Sequence, residues 1–449
     1  MDDRLARLNQ PLRLPCGARL ANRIAKAAMT EGLADAQLRA TERHVRLYRR
    51  WSQGGAGLLL TGNVMIDRRV LERPGNVALD PAPPDAESLA RLRAWTRAGT
   101  AGGNHLWMQI SHAGRQSPWY VTREPLAPSA VQLKLLSNYR RPRALTEEEI
   151  LDFIARFARV ARTAREAGFT GVQIHAAHGY LISSFLSPLT NRRDDAWGGT
   201  LANRARFLLE TLKAVRTAVG ADFPVAVKLN SADFQRGGFS HEDCVQVVRW
   251  LNDAGLDLLE ISGGTYEQPR LLGYSGRARD AQAPQRESTR SREAYFLEYA
   301  RAIRTVATMP LMLTGGFRTR AAMEQALAEN AVDVIGLARP LCTEPEAPRR
   351  LLAGSDAPLP SFERTLRLGP GPLAPETNLF LFKVLNVLGQ QGWYYLQIFR
   401  LADGRPLRPP RGLLRALLGY LWDEYRTAWR RRRAARSAPS AEVVGQAQA

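Results

Sequence analysis

The sequence predicts a (β/α)8 barrel with a helical C-terminal extension. The first indication is that short apolar runs, most of them bounded by Gly or Pro, alternate with longer amphipathic stretches. The second is that polar side chains directly follow several of these runs, and barrel enzymes carry their active sites at the carboxyl ends of strands. Eight β-then-α units in about 350 residues describe a barrel. The predicted strands are 23–28, 57–64, 105–111, 171–175, 224–229, 257–262, 310–314 and 332–337.

Helix start signals lie between these strands. Thr146 and Glu149 form a capping box, and Ser240 precedes the segment HEDCVQVVRWL as an N-cap. Two connections depart from the repeating unit: the proline-rich residues 116–143 after the third strand, and the polar residues 265–292 after the sixth. Because both follow the carboxyl ends of strands, we expect them over the catalytic mouth.

Composition limits the class of protein. With 449 residues, 45% of them hydrophobic, the chain can bury one large core. A formal net charge of +20 would suit a nucleic-acid partner, but the arginines are spread along the chain except in the run 430–433, so we expect no nucleic acid. Three separated cysteines, no signal-peptide pattern and no apolar run of about 18 residues predict a soluble cytoplasmic protein.

Two histidines and a tyrosine follow the fourth predicted strand directly. His175, His178 and Tyr180 lie in the segment IHAAHGYLISSFLSPLTNRR. Imidazoles donate hydrogen bonds and a phenol can release a proton, so the segment predicts proton-coupled chemistry on a carbonyl compound. The HxxH spacing could instead ligate a metal, and each side chain could be structural. No third ligand of the usual zinc-hydrolase kind accompanies it and HExxH is absent, so we expect no metal.

Glycine-containing turns follow the last two predicted strands. Gly315 and Gly316 belong to TGGF, and Ala338 and Arg339 belong to GLARP. Barrels commonly build a phosphate site from backbone amides at this position, and an arginine can bind the phosphate with two hydrogen bonds. Either turn alone could be an ordinary glycine turn; their joint placement favours phosphate binding.

Together these segments resemble the Old Yellow Enzyme family, also called the NADH:flavin oxidoreductase family of FMN-dependent ene reductases. The resemblance covers roughly residues 5–355, and its specificity comes from the order and spacing of the motifs. The motifs are NRIAKAAMT (22–30), GLLLTGNV (57–64), QISHAGR (109–115), PLAPSAV (125–131), HAAHGYLISSFLSPLTNRRDDAWGGTLANRARF (175–207), VKLNSADF (227–234), TGGF and GLARP.

The resemblance implies an FMN cofactor with NADH or NADPH as co-substrate. It implies that Lys228 lies at the flavin N1/C2 region, Gln109 at the pyrimidine edge, Thr30 at the C4 carbonyl and Asn63 beside the ring. Without the resemblance, Gln109 and Asn63 could be strand-end residues that satisfy backbone groups, and Lys228 a solvated strand terminus. The full implied cofactor set is Ala28, Thr30, Asn63, Gln109, Lys228, Gly315, Gly316, Ala338 and Arg339.

The resemblance also implies reduction of the C=C bond of an enone. Hydride would pass from the flavin N5 to the β-carbon, His175 and His178 would donate hydrogen bonds to the carbonyl oxygen, and Tyr180 would protonate the α-carbon. Ala338 stands where a glycine is common, and its methyl group is a small obstacle to close backbone approach at that position. Two alternatives stay open: a scaffold protein with a basic C-terminal segment that contacts a membrane or a partner, and a metal-dependent lyase.

Residues 359–433 fall outside the resemblance and are expected to form a helical extension of a barrel that spans 1–358. The apolar stretch 380–399 is interrupted by Lys383 and by amide side chains, which argues against a membrane span. A second helix is predicted over 412–433. Its terminal arginines could contact anionic lipid, but cations also suit a helix C-terminus, so we favour docking on the barrel or on a partner subunit.

The composition of the last residues, 434–449, predicts a disordered tail. A homo-oligomer is left open.

Overall fold

The computed structural model describes residues 7–80, 83–265, 296–375, 377–407 and 412–437. Eight parallel strands form a closed sheet in which each strand pairs with the next along the chain, and the eighth pairs with the first. A ninth, two-residue strand, Val77–Ala78, also pairs with the second strand of this sheet. The predicted barrel is confirmed, with all eight strands where the sequence predicts them. The strands are β1 (Ile24–Lys26), β2 (Leu58–Met65), β3 (His105–Ser111), β4 (Val172–Ala176), β5 (Val225–Asn230), β6 (Leu258–Ser262), β7 (Leu311–Thr314) and β8 (Val334–Leu337).

Helices surround the barrel, and two of them begin at the capping residues that the sequence predicts. The Thr146–Glu149 capping box opens one helix, and the Ser240 side chain accepts the backbone N–H of Asp243 at the start of another. The helices are α1 (Glu42–Ser52), α2 (Ala86–Gly99), α3 (Glu147–Glu166), α4 (Leu181–Leu186), α5 (Leu201–Val219), α6 (His241–Asn252), α7 (Leu297–Arg304), α8 (Arg320–Ala328), α9 (Ala347–Leu352), α10 (Phe380–Ala402) and α11 (Leu413–Ser437).

The amino end of the barrel is closed by apolar side chains. A short antiparallel pair, Leu12–Arg13 with Arg19–Leu20, precedes β1 and packs against the barrel interior. Trp107 and Met312 fill that interior and are fully buried. Because this end is plugged, ligands can enter only where the strands end, at the carboxyl face.

The insertion 116–143 is mostly irregular, as predicted, and contains one parallel pair, Leu126–Ala127 with Arg143–Ala144. Its Gln116 side chain donates a hydrogen bond of 3.0 Å to the backbone carbonyl of His178, so the insertion does lie at the carboxyl face. Most of the predicted second insertion, 265–292, lies outside the described residues.

The extension packs on the barrel. Helix α10 contacts α1 and the turn Arg339–Cys342, and α11 packs on α10, where the Tyr395 and Tyr420 rings stack with centroids 5.3 Å apart. Within the described residues no helix is long and apolar enough to cross a membrane. Residues 434–437 were expected in a disordered tail but form the last turn of α11, because alanine and arginine propagate a helix well. Residues 438–449 lie outside the described residues.

Candidate functional site

His175, His178 and Tyr180 lie together at the carboxyl end of β4. The His175 ring centroid is 5.1 Å from that of His178 and 4.7 Å from that of Tyr180. His178 adopts a left-handed backbone conformation with φ of 63°, and its N–H donates to the Asn230 side chain at 3.1 Å. This turn brings both imidazoles and the phenol together. The Nε2 atom of His178 lies 2.7 Å from the Ser262 hydroxyl.

Burial favours the neutral form of both imidazoles, because it lowers the pKa of His175 and of His178 well below the usual histidine value. The neighbouring His178 and Lys228 oppose protonation of His175 further, and Lys228 does the same for His178. Each ring therefore has one N–H to donate. His175 Nδ1 is buried and has no hydrogen-bond partner among the described residues, so it can serve a bound molecule.

A carboxylate that sequence reasoning missed lies beside the tyrosine. Glu72 is hydrogen-bonded to the Tyr180 side chain, and it accepts hydrogen bonds from the Thr30 hydroxyl at 2.9 Å and from the Asn63 amide. Burial raises the pKa of Glu72, although these donors and the neighbouring Arg73 oppose the shift. In the sequence Glu72 is one charged residue in a polar connection, which looks the same as a solvated loop residue.

This cluster extends to the C-terminal extension through an ion pair. Arg73 Nη2 lies 2.6 Å from Glu424 Oε1 of α11, and the two side chains are 4% and 3% exposed. The Arg73 guanidinium also lies over the Tyr395 ring, 3.9 Å from its centroid, and the Tyr120 hydroxyl donates to Glu424 at 3.2 Å. The extension therefore docks at the mouth of the barrel. We call Glu72, Arg73, Glu424, Thr30, Asn63 and Tyr180 the outer network.

A second set of polar side chains lies within the barrel. Lys228 Nζ is 2.8 Å from Glu260 Oε1, and Glu260 also accepts from Gln173 at 2.8 Å and from Thr314 at 2.6 Å. Gln109 donates to Gln173 at 2.7 Å. Lys228 is 3% exposed, so it is not a solvated strand terminus. We call these five residues the inner network; sequence reasoning missed Gln173, Glu260 and Thr314.

The predicted phosphate-site residues also lie together, because β7 and β8 are neighbours in the sheet. Gly315 and Gly316 have φ of 133° and 91°, a conformation that favours glycine. Arg339 lies 3.6 Å from the carboxylate of Glu363. Ala28 and Ala338, predicted as cofactor contacts, are half-buried against the barrel interior.

Glu363 and Arg318 were not predicted at this position. Arg318 Nη2 lies 2.6 Å from Glu363, which the Tyr394 hydroxyl of α10 also contacts. Burial acts to raise the pKa of Glu363, but the charges of Arg339 and Arg318 hold it below its usual value. Two arginines against one carboxylate leave a net positive charge here, which suits an anion.

Among the described residues, no group of three or more His, Cys, Asp or Glu is placed to hold a metal ion.

The chain is similar to known proteins of one family. The model of the NADH:flavin oxidoreductase / NADH oxidase family matches residues 7–357. The NADH-dependent flavin oxidoreductase iccE of Talaromyces variabilis is 35% identical over 411 residues, which cover 88% of this chain and 98% of that protein. The NADH-dependent flavin oxidoreductase iliE of Neonectria sp. (strain DH2) is 39% identical over 357 residues; these cover 76% of this chain but only 46% of that longer protein.

Solved structures have the same architecture. The old yellow enzyme homologue from Zymomonas mobilis superposes with a TM-score of 0.64 at 27% identity, covering 79% of this chain and 95% of that one. A 2-naphthoyl-CoA reductase in complex with 2-naphthoyl-CoA superposes with a TM-score of 0.70 at 27% identity, covering 78% of this chain and 52% of the other.

Proposed function

Because the chain belongs to the NADH:flavin oxidoreductase / NADH oxidase family, whose members use FMN with NADH or NADPH, we propose that it reduces the activated C=C bond of α,β-unsaturated carbonyl compounds. The observation that carries the proposal is the pair of imidazoles of the buried His175 and the half-buried His178, both with lowered pKa values, beside the Tyr180 phenol at the carboxyl end of β4. Hydrogen-bond donors next to a proton donor are what an enone requires.

The side chains at the barrel mouth fit FMN. The Gly315 and Gly316 amides and the Arg339 guanidinium would hold its phosphate, because backbone amides in this conformation and a cation both bind anions. Gln109 and Lys228 would bind the polar edge of its ring, where reduction builds negative charge. Bound FMN, once reduced by NADH or NADPH, supplies the hydride that reaches the β-carbon of the substrate.

His175 and His178 would bind the carbonyl oxygen. Their neutral state gives each ring one N–H, and the buried surroundings strengthen a hydrogen bond to an oxygen that gains negative charge. His175 Nδ1 is already buried and unpartnered, so a substrate oxygen would satisfy a group that otherwise carries a desolvation cost.

Tyr180 would deliver the proton to the α-carbon. A phenol is protonated at neutral pH, and it can act as an acid toward a strongly basic carbon. Glu72 would position it, since the hydrogen bond between them restricts the tyrosine side chain. The raised pKa of Glu72 also allows this carboxyl to return a proton to Tyr180 after turnover.

The test is spectroscopic. The purified protein should show bound-flavin absorbance that NADH or NADPH bleaches under anaerobic conditions, and 2-cyclohexenone should restore it while the solution stays anaerobic. A colourless protein that cannot be reconstituted with FMN would favour the scaffold alternative. A flavin that only dioxygen reoxidises would show an NADH oxidase without ene reductase activity, and activity lost to a chelator would support the metal-dependent lyase.

A further inference from the structure

The outer face of α11 carries a row of exposed apolar side chains. Leu414, Leu418, Trp422, Tyr425 and Trp429 follow each other at steps of four, four, three and four residues, which places them on one side of a helix. Their exposed fractions are 58%, 59%, 71%, 45% and 59%. The side chains on the opposite face, among them Glu424 and Ala428, are buried. The row is thus the solvent face of a helix whose other face is already packed.

Such a row is unusual on the surface of a water-soluble protein. The described residues expose eleven large hydrophobic side chains, and five of them lie in this row. Single exposed apolar residues need no explanation, but a contiguous group of this size marks an interaction site. Both tryptophans and the tyrosine belong to the residue types that are enriched at membrane–water interfaces.

Arginines flank the same face. Helix α11 contains seven arginines and two acidic residues, and one of the two acids, Glu424, is already paired with Arg73. Arg415 and Arg426 are exposed, and Arg430, Arg433 and Arg436 continue the positive charge towards the helix C-terminus. An apolar strip bordered by arginines matches an anionic lipid surface, where apolar side chains enter the acyl boundary and guanidinium groups bind phosphate.

We propose that the outer face of α11 docks on the surface of a bilayer that contains anionic phospholipid. The helix lies on the membrane and does not cross it, which agrees with its seven arginines. A second copy of the chain fits this face less well, because a symmetric contact would bring two strongly cationic helices together. The proposal does not depend on the enone reductase activity.

Docking would bring the mouth of the barrel close to the bilayer. The inner face of α11 holds Glu424 against Arg73 at that mouth, so only the thickness of one helix, about 10 Å, separates the mouth from the lipid. A substrate that dissolves in the membrane would then have a short path to the site.

Cosedimentation with vesicles tests the proposal. The full-length holoprotein is mixed with vesicles of phosphatidylcholine that contain phosphatidylglycerol, and in parallel with vesicles of phosphatidylcholine alone. We expect binding to the anionic vesicles that weakens as salt is raised, because part of the attraction is electrostatic, together with a blue shift of tryptophan fluorescence. Failure to bind the anionic vesicles, or equal binding to both compositions, would overturn the proposal.

Matched variants separate this face from the general basicity of the chain. Trp422→Ser with Trp429→Ser, and separately Arg426→Glu with Arg430→Glu, should each lower the vesicle partition coefficient by about tenfold or more. The controls are Leu151→Ser, which changes a 53% exposed apolar residue of α3, and Arg93→Glu with Arg97→Glu on the exposed side of α2.

These controls should reduce binding much less than the α11 variants. Equal losses in controls and α11 variants would mean that net charge alone, and not this face, drives binding. Light scattering gives an independent check: a dimer that the Trp422→Ser, Trp429→Ser variant dissociates would assign the face to a second copy instead. Because all these positions are exposed, the variants should fold, and unchanged flavin absorbance confirms it.

Discussion

The inner and outer networks differ in where their residues come from. All five residues of the inner network stand on or at the ends of barrel strands, from Gln109 on β3 to Thr314 on β7. The outer network joins Asn63 of β2 and residues of the connections after β1, β2 and β4 to helix α11 of the extension through the Arg73–Glu424 pair. The barrel strands therefore carry Gln109 and Lys228, which are proposed for the ring edge of the flavin, whereas the side proposed for the substrate also depends on helix α11. The extension reaches the proposed phosphate site as well, where Glu363 contacts Arg339.

This difference implies that substitutions can alter the substrate side and the ring-edge side of the flavin site separately. A substitution in α11 can reshape the substrate side without touching the strands that carry Lys228 and Gln109. Conversely, the inner network is enclosed by the barrel, where Glu260 is fully buried and accepts from three neighbours.

Tyr180→Phe should slow reoxidation of the reduced enzyme by an enone by about 10²- to 10⁴-fold, because the proton donor is removed. Reduction by NADH should change little, since that step needs no proton from Tyr180. Stopped-flow absorbance measures the two half-reactions separately. Tyr139→Phe, which removes another buried phenol of the 116–143 insertion, is the control. An equal loss in both half-reactions would refute the proton-donor role.

Glu424→Gln should destabilise the docked extension by about 3–5 kcal/mol, because it leaves the Arg73 charge buried without its partner. Chemical denaturation and limited proteolysis of the extension measure the effect. The neighbouring Asp423→Asn, a half-exposed residue, should cost far less. Flavin content should stay normal if the inner network is independent of the extension; loss of flavin would show that the two networks are coupled.

Glu72→Gln should lower the rate of enone reduction by about tenfold, because Gln can still accept a hydrogen bond from Tyr180 but cannot relay a proton. KM should change little, since the histidines that bind the carbonyl are untouched. Steady-state kinetics measure both constants, with Asp80→Asn as a control for loss of a buried carboxylate. A change confined to KM would argue for a role in substrate binding instead.

Glu260→Gln should raise the reduction potential of the bound flavin by roughly 30 mV, which corresponds to about 1.4 kcal/mol for two electrons. The reason is that the Lys228 charge, no longer neutralised by Glu260, would favour the anionic reduced flavin more strongly. Anaerobic redox titration measures it. Glu324→Gln, a buried glutamate that binds the backbone at Arg7 and Leu8, should leave the potential unchanged.

The smallest effect is expected from pH. Because burial and Lys228 lower the pKa of His175 and His178 well below 6.5, the enone half-reaction should show no histidine inflection between about pH 6 and pH 8. Below about pH 6.5 the histidines of the unfolded chain bind protons that the native state does not bind. The free energy of unfolding should therefore fall as the pH drops below about 6.5. An inflection near pH 6.5 would show that an imidazole titrates in the site.

Much of the site could be predicted from the sequence because its residues lie in contiguous motifs. The turn that brings His175, His178 and Tyr180 together spans six residues, and the phosphate-site glycines follow their strand directly. Local patterns of this kind can be recognised in the sequence, because short-range backbone geometry decides which way the side chains point. The tail was predicted to begin at residue 434, but residues 434–437 continue α11, because composition says little about where a helix ends.

The eight strands, the two predicted helix starts and the side chains that follow each strand could be read from local patterns, because each depends on neighbours a few residues away. The contact of Glu72 with Tyr180 and the pairing of Arg73 with Glu424, a residue 351 positions along the chain, form only when the chain folds. Charged residues in a connection or on a helix look solvated in sequence. Whether such a charge is buried and paired depends on the path of the whole chain, which no local pattern records.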